Sequence, residues 1–188
     1  MSNWVECLID SVRVSLTNQD RIVVLKDKHS ERYLPIWVGL YEAESITIAL
    51  QKISVARPLT HDLIISLLNA LDVKLISMEI TSLESDTYYA NLVIEQNGEL
   101  KYIDCRPSDA LALVTRSEAP IYVDEEVMLR AAIRPEDVTP VEQLEESDEQ
   151  KPTRDLSVFE NFLDQLDKKQ PGRDEDEKPG DQPEKPAS

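Results

Sequence analysis

Glycine is scarce in this chain, with four residues among 188, and the glycine-rich motifs of common nucleotide-binding folds are absent. The sequence contains no G-x-x-x-x-G-K-[ST], no G-x-G-x-x-G, no H-E-x-x-H and no G-x-S-x-G. These motifs build phosphate-cradling loops, dinucleotide sites, zinc-protease helices and hydrolase nucleophile turns. Their absence disfavours all four classes of enzyme.

Cysteine and histidine are equally rare, since the chain has only Cys7, Cys105, His29 and His61. A structural zinc site would therefore lack most of its usual ligands. Both cysteines fall inside apolar, strand-like runs, which predicts buried reduced thiols rather than a disulfide. Magnesium is not disfavoured, because it needs only one or two carboxylates together with water and a substrate phosphate.

Long apolar runs are missing as well, and no stretch of about 18 apolar residues exists that would predict a membrane-spanning helix. The first ten residues carry Glu6 and Asp10, where a signal peptide would have positive charge followed by an apolar core. We therefore expect a cytoplasmic protein that does not insert into a membrane.

The charge is strongly one-sided, with 37 acidic against 20 basic residues and a formal net charge of −17. Because phosphate backbones are bound largely by lysine and arginine, this balance argues against general nucleic-acid affinity. From residue 139 the composition shifts to Glu, Asp, Pro, Lys and Gln, which predicts a domain at 1–138 and a disordered acidic tail at 139–188.

One segment of the tail, at about 155–168, has apolar residues at helical spacing and predicts a short amphipathic helix. Two interpretations of this segment stay open. It docks a protein partner, or it folds back onto the body of its own chain.

Apolar periodicity in the body predicts an α+β fold made of two units, each a set of hairpin-connected antiparallel strands followed by helix. The two units echo each other weakly at an offset of 67 positions, which relates Glu42 to Asp109. Asn97-Gly98 is a strong hairpin signal in the second unit. Exposed hairpin edges favour a homo-oligomer, because another copy readily covers a sheet edge.

Several charged side chains stand near predicted helix starts. Glu42 and Asp109 each lie in a first turn, where the helix dipole stabilises a carboxylate without any function. His61 stands beside Asp62 and close to Arg57, an arrangement in which histidine transfers protons while arginine holds a phosphate. The alternative for His61 is an idle, exposed first-turn residue.

The stretch CRPSDA, residues 105–110, begins a helix in which Pro107 fixes the backbone and Ser108 or Asp109 caps the free amides. Asp104 and Arg106 are surplus to that local geometry. They are therefore candidates either for folding contacts or for chemistry.

Three segments, LPIWVGLYEAESITIAL, RPLTHDLIISLLNAL and DCRPSDALALVTRSEAPIYVDEEV, together resemble the bifunctional nuclease domain family over roughly residues 4–133. The resemblance implies a compact α+β domain and a nuclease that acts on both RNA and DNA. Cys105 occupies a place that is frequently a small residue, and RSEAP replaces a turn that more usually contains glycine. Neither departure removes a candidate acid, base or cation.

The family's motifs indicate which positions to examine: Glu42, Glu44, Arg57, Thr60, His61, Asp62, Asp104, Arg106, Ser108 and Asp109. We predict a catalytic role for His61, Asp62, Asp104 and Asp109. We predict substrate binding by Arg57, Arg106 and Ser108, and binding of Mg²⁺ or Mn²⁺ by Glu42, Asp104 and Asp109. In this hypothesis, Asp104 and Arg106 converge with His61 and Asp62 on one cleft.

The competing hypothesis is a non-catalytic binding or regulatory module. In that interpretation Arg106 braces its turn by pairing with a carboxylate, Asp109 and Asp62 are helix-dipole partners, and the tail helix recruits another protein. The acidity of the chain favours this alternative, whereas the family resemblance favours the nuclease.

Overall fold

The structure is a computed structural model that describes residues 3–14 and 20–135. The strands are β1 (Trp4–Val14), β2 (Arg21–Asp27), β3 (Tyr33–Val38), β4 (Lys74–Glu84), β5 (Thr87–Gln96), β6 (Glu99–Cys105) and β7 (Ile121–Asp124). The helices are α1 (Leu40–Leu50), α2 (Thr60–Ala70), α3 (Pro107–Ser117) and α4 (Glu125–Ala131). The predicted α+β class is confirmed, whereas the predicted acidic tail and its helix at 155–168 lie outside the described residues.

The seven strands form one sheet in the order β3-β2-β1-β7-β4-β5-β6. The strands of each predicted unit pair antiparallel, as the sequence indicates. The late strand β7 lies between the two units, antiparallel to β1 and parallel to β4. The sheet is therefore mixed rather than wholly antiparallel, because β7 returns to the centre after α3 instead of extending an edge.

The turn between β5 and β6 has the geometry that its sequence predicts. Asn97 has φ 55° and Gly98 has φ 80°, so both central residues occupy the left-handed region. Asparagine and glycine tolerate this region best, and a two-residue turn of this kind matches the twist of the flanking strands.

The helix α3 lies at the centre of the hydrophobic core. Five consecutive residues, Ala110 to Val114, are at most 3% exposed, so the helix is covered on nearly every side. It packs against α1, α2 and the strands β3, β4 and β5. A helix held this firmly fixes the position of the residues in its first turn.

The helices α1 and α3 begin 67 positions apart, at Leu40 and Pro107, so the internal echo of the sequence corresponds to two equivalent helix starts. The predicted caps are wrong in detail. The N-cap of α3 is Arg106, which makes no side-chain capping bond, and Pro107 occupies the first turn. Neither Ser108 nor Asp109 is the N-cap, because the helix begins at Pro107 and both residues lie inside its first turn. The Asp109 carboxylate binds the Arg106 guanidinium.

Both cysteines are free thiols, as predicted; Cys7 is buried and Cys105 is half-buried. Burial raises the pKa of Cys7 to about 12 and that of Cys105 to about 11. Neither thiol is therefore a nucleophile near neutral pH. Among the helices of residues 3–14 and 20–135, none is long and apolar enough to span a membrane.

Candidate active site between three helices

A pocket of about 520 Å³ opens where α1, α2 and the first turn of α3 meet. Volumes of this size are typical of sites that hold small molecules. The wall combines polar and apolar side chains from all three helices: Tyr41, Glu42, Glu44, Ser45, Ile48, Leu59, Thr60, His61, Ile64, Arg106 and Asp109.

Arg106 is the exposed cation of the pocket, with 67% of its side chain accessible to solvent. Its Nε donates to Asp109 Oδ2 at 2.6 Å, and its Nη2 donates to Asp109 Oδ1 at 2.9 Å and to Glu42 Oε1 at 2.7 Å. These bonds raise the pKa of Arg106, so the guanidinium stays charged. Arg106 thus bridges the first turns of α3 and α1.

Glu42 reaches this position because its carboxylate folds back over Gly39, the N-cap of α1. A Cβ atom at position 39 would overlap the Glu42 Oε2 atom. The glycine therefore makes room for the carboxylate rather than supplying an unusual backbone angle. This is a specific reason for glycine in a chain that contains only four.

His61 lines the same pocket, and 12% of its side chain is exposed. Its Nδ1 is 2.9 Å from the Ser45 hydroxyl, a hydrogen-bonding distance. Its Nε2 is 3.6 Å from Asp109 Oδ1, which is an ion-pair distance but too long for a good hydrogen bond. The imidazole is thus held at one nitrogen and faces a carboxylate with the other.

Asp109 is shared between the arginine and the histidine. The hydrogen bond from Arg106 lowers the pKa of Asp109, partial burial opposes this change, and the nearby His61 lowers the pKa further. The net result is a carboxylate that stays ionised near neutral pH. The His61 imidazole therefore faces an ionised carboxylate.

Asp62 belongs to a neighbouring contact and does not line the pocket. Its Oδ2 accepts from the backbone N–H of Leu59 at 2.8 Å, and its Oδ1 accepts from Arg116 Nε. Partial burial alone would raise the pKa of Asp62, but the bonds from Arg116 and Leu59 outweigh it and lower the pKa. Asp62 ties the start of α2 to the end of α3.

Asp104 also lies outside the pocket wall. It is exposed on β6 opposite Asn91, whereas the next residue, Cys105, packs against the core with its thiol 3.6 Å from the Ala90 carbonyl. Because side chains alternate along a strand, Asp104 points to the opposite face of the sheet. The predicted convergence is thus partial: Arg106 and His61 line one pocket, whereas Asp104 and Asp62 do not line it.

The remaining substrate-binding candidates are separated. Arg57 is exposed in the segment between α1 and α2 and does not line the pocket. Ser108 is 7% exposed and lines an adjacent depression, which shares Arg106 with the main pocket. Of the three predicted binding residues, only Arg106 faces the cluster around His61.

The three predicted metal ligands do not form one cluster. Asp104 is on the other face of the sheet, while Glu42 and Asp109 both receive hydrogen bonds from Arg106. Across residues 3–14 and 20–135, no group of three or more histidine, cysteine or acidic side chains is arranged to hold a metal ion. Binding of Mg²⁺ or Mn²⁺ by one or two of these carboxylates stays a prediction.

Ser45 is a residue of the site that the sequence analysis missed. It is 5% exposed and lies on α1, three positions after Glu42, so both side chains lie on the same helix face. The signal that the sequence offers for Ser45 is a hydroxyl on an otherwise apolar helix face, three positions after the carboxylate of Glu42. Its partner His61 is 16 positions away, which local sequence does not reveal.

Comparison with known proteins identifies the family. A protein-family model described as the bifunctional nuclease domain matches residues 23–136. An uncharacterized protein of Mycobacterium tuberculosis is 34% identical over 165 residues, covering 86% of this chain and 94% of that protein. The protein named Bifunctional nuclease 1 of Oryza sativa subsp. japonica is 26% identical over 136 residues, covering 71% of this chain and 41% of the rice protein. This chain therefore belongs to the bifunctional nuclease domain family.

Proposed function

We propose that this protein is a nuclease that cleaves phosphodiester bonds of DNA and RNA in the pocket between α1, α2 and α3. The observation that carries the proposal is the placement of an exposed arginine, a largely buried imidazole and an ionised carboxylate in one pocket. Family membership supplies the reaction class. We place the activity in the cytoplasm, where the two free thiols stay reduced.

Arg106 binds the scissile phosphate in this proposal. Its hydrogen bonds to Asp109 and Glu42 use Nε and Nη2, and among the described residues neither hydrogen of Nη1 has an acceptor. The guanidinium can therefore keep both carboxylates and still donate to a phosphate oxygen. Charge that develops on phosphorus-bound oxygens is stabilised by such a fixed donor.

His61 transfers the proton. The mechanism uses the tautomer in which His61 Nδ1–H donates to the Ser45 hydroxyl, 2.9 Å away, so that Nε2 takes a proton from the attacking water. The resulting imidazolium faces Asp109 and is stabilised by it. The water oxygen bonds to phosphorus as the bond to the leaving oxygen breaks; solvent protonates the leaving oxygen, and the imidazolium releases its proton to solvent.

Ser45 and Asp109 act through the histidine and are positioning residues. Assistance by Mg²⁺ or Mn²⁺ stays a prediction. The three residues predicted as ligands are not gathered at one point, so an ion would be held by one or two of them together with water and the substrate phosphate. No step of the mechanism above depends on a bound ion.

The test compares His61→Gln with His29→Gln in the full-length protein. His29 is exposed in the turn after β2 and serves as a matched control for loss of an imidazole. Cleavage of single- and double-stranded DNA and RNA is measured with Mg²⁺, with Mn²⁺ and with chelator. We expect the His61 variant to lose about 10²-fold or more in rate, as removal of a general base does, and the His29 variant to match the wild type.

Equal cleavage by all three proteins would contradict the proposed site and would point to a contaminating nuclease. Circular dichroism spectra establish that the variants are folded. A chelator that abolishes wild-type cleavage would establish the metal requirement separately from the role of His61.

A second candidate function is a non-catalytic binding or regulatory module. It is favoured by the charge of the pocket, where Glu42, Glu44 and Asp109 outnumber the one guanidinium. In this alternative Arg106 is a brace between α1 and α3, and a protein partner binds elsewhere, with the 155–168 segment as the predicted docking element. Absence of cleavage on every substrate by the folded wild type would favour this function.

A further inference from the structure

The exposed side of α2 differs from the rest of this acidic molecule. Its solvent-exposed residues contain no charged side chain: Thr60, Leu63, Ser66, Leu67, Asn69 and Ala70. A helix on the surface of a monomer normally presents charged and polar residues to water. In a chain with 30% charged residues, an uncharged exposed helix face is unusual.

Three leucines run along this face at helical spacing. Leu63 is 62% exposed, Leu67 is 55% exposed, and Leu71, just past the helix end, is 56% exposed. Residues four positions apart lie above one another on a helix, so the three form one stripe. We call Leu63, Leu67 and Leu71 the α2 stripe. Three further exposed apolar residues precede α2 in the chain: Leu50 at the end of α1, and Ile53 and Val55 in the connecting segment, which also carries the exposed residues Lys52 and Arg57.

The exposed leucine of α4 differs from those of α2, because it has no exposed apolar neighbours on its helix face. Leu129 on α4 is 70% exposed, but it stands alone between the exposed charged residues Glu126 and Arg130. Single exposed apolar side chains are ordinary on soluble proteins, whereas grouped ones mark interaction sites. The α2 stripe is of the second kind.

We propose that the α2 stripe is the dimer interface of this protein and that its occupant is a second copy of the same chain. Two copies that each carry a net charge of −17 repel one another over most of their surfaces. The uncharged face of α2 is where two copies approach with the least of that repulsion. Antiparallel packing of two α2 helices about a two-fold axis places each leucine stripe against an identical one.

The size of the patch sets the strength of the association. The exposed apolar side chains of the α2 stripe and its preceding segment offer an area on the order of 500 Å² per copy, against about 800 Å² per partner in a standard stable interface. We therefore expect a dimer that forms at micromolar concentration. This proposal does not depend on the proposed nuclease function.

Sedimentation equilibrium of the full-length chain tests the proposal over about 1 to 300 µM protein. The expected wild-type mass rises from 21.4 kDa toward twice that value with concentration. The double variant Leu63→Gln/Leu67→Gln should weaken association at least tenfold, and the control Leu129→Gln should leave it unchanged. Glutamine keeps good helix propensity and adds no charge, so the variant alters only the apolar surface.

Raising the salt concentration should strengthen wild-type association, because salt screens the repulsion between two acidic copies. If the double variant fails to fold, Leu71→Gln, beyond the last helical residue, gives the same test with a smaller expected loss. A wild type that stays monomeric at every concentration would overturn the proposal. A finding that the chain's own 155–168 segment covers the stripe would overturn it as well. Dimers that survive the double variant would also overturn it and would favour pairing at a sheet edge.

Discussion

Arg32 and Arg106 each join two carboxylates from distant parts of the chain, but their surroundings differ. Arg32 is 15% exposed and binds Asp27, which is 3% exposed, together with Glu125. Arg106 is 67% exposed and binds Asp109 and Glu42. The first cluster is mostly withdrawn from water, whereas the second opens into a pocket.

The two arginines also differ in how many donors are used. In the first cluster Nε, Nη1 and Nη2 of Arg32 all donate to carboxylate or hydroxyl oxygens. In the second, Nη1 of Arg106 has no acceptor among the described residues, and the titratable His61 lies close by. A largely buried charge whose three nitrogens all donate stabilises a fold, while an exposed donor in a pocket that also holds an imidazole is available for chemistry.

The largest expected effect on stability is that of Arg32→Met. Removing this guanidinium leaves the Asp27 carboxylate buried without its cation, which costs about 3 kcal/mol in a site of this kind. Urea unfolding should show the loss as a lower midpoint with an unchanged slope. A loss below about 1 kcal/mol would mean that the cluster is no more structural than an ordinary surface ion pair.

The stability that the Arg32 cluster contributes should decrease in acid, because Asp27 becomes protonated. Burial alone would raise the pKa of Asp27, but hydrogen bonds from Ser30, the His29 amide and Arg32 outweigh it and lower the pKa below the usual 3.8. A group with a depressed folded pKa contributes stability above its unfolded pKa and loses it as the pH falls through the folded value. The wild-type free energy of unfolding should therefore fall below about pH 4.

The matched variant for this prediction is Asp27→Asn, which removes the titrating group. Its stability should be lower than that of the wild type at pH 7, and its curve should be flatter in acid. If the two proteins lost stability in parallel between pH 4 and pH 2, Asp27 would not be a source of the acid sensitivity.

A smaller effect is expected for Asp62→Asn. Arg116 is 8% exposed, and its Nη1 also donates to the Ala112 carbonyl at 2.8 Å, so it keeps one acceptor when the carboxylate is neutralised. We expect a loss of about 1 kcal/mol in the free energy of unfolding and cleavage close to the wild-type rate. A folded variant without activity would instead return Asp62 to the catalytic group in which the sequence analysis placed it.

The sequence predicts most of the fold because its signals are local. Alternating strands, the Asn97-Gly98 turn and the proline at the start of α3 each depend on neighbouring residues, and all three are confirmed. The position of β7 between the two units is not local, since it depends on which strands pair after α3 has formed. There the parallel pairing of β4 with β7 joins the antiparallel strands that the sequence predicts within each unit.

The site follows the same division. The echo between Glu42 and Asp109 indicates two equivalent helix starts, and these do meet, at Arg106. The face on which Asp104 lies depends on strand register, and the partner of Asp62 is Arg116, 54 positions away. Neither relationship leaves a mark on the neighbouring sequence, so motif analysis groups residues that the fold separates.

The most direct test of the account is the cleavage rate of Arg106→Met, measured together with its stability and set beside Arg32→Met. The account predicts that Arg106→Met loses less than about 1 kcal/mol of stability, as expected for an exposed ion pair, yet loses about 10²-fold or more of the cleavage rate. Wild-type cleavage by a folded Arg106→Met protein would contradict the claim that this pocket binds the scissile phosphate.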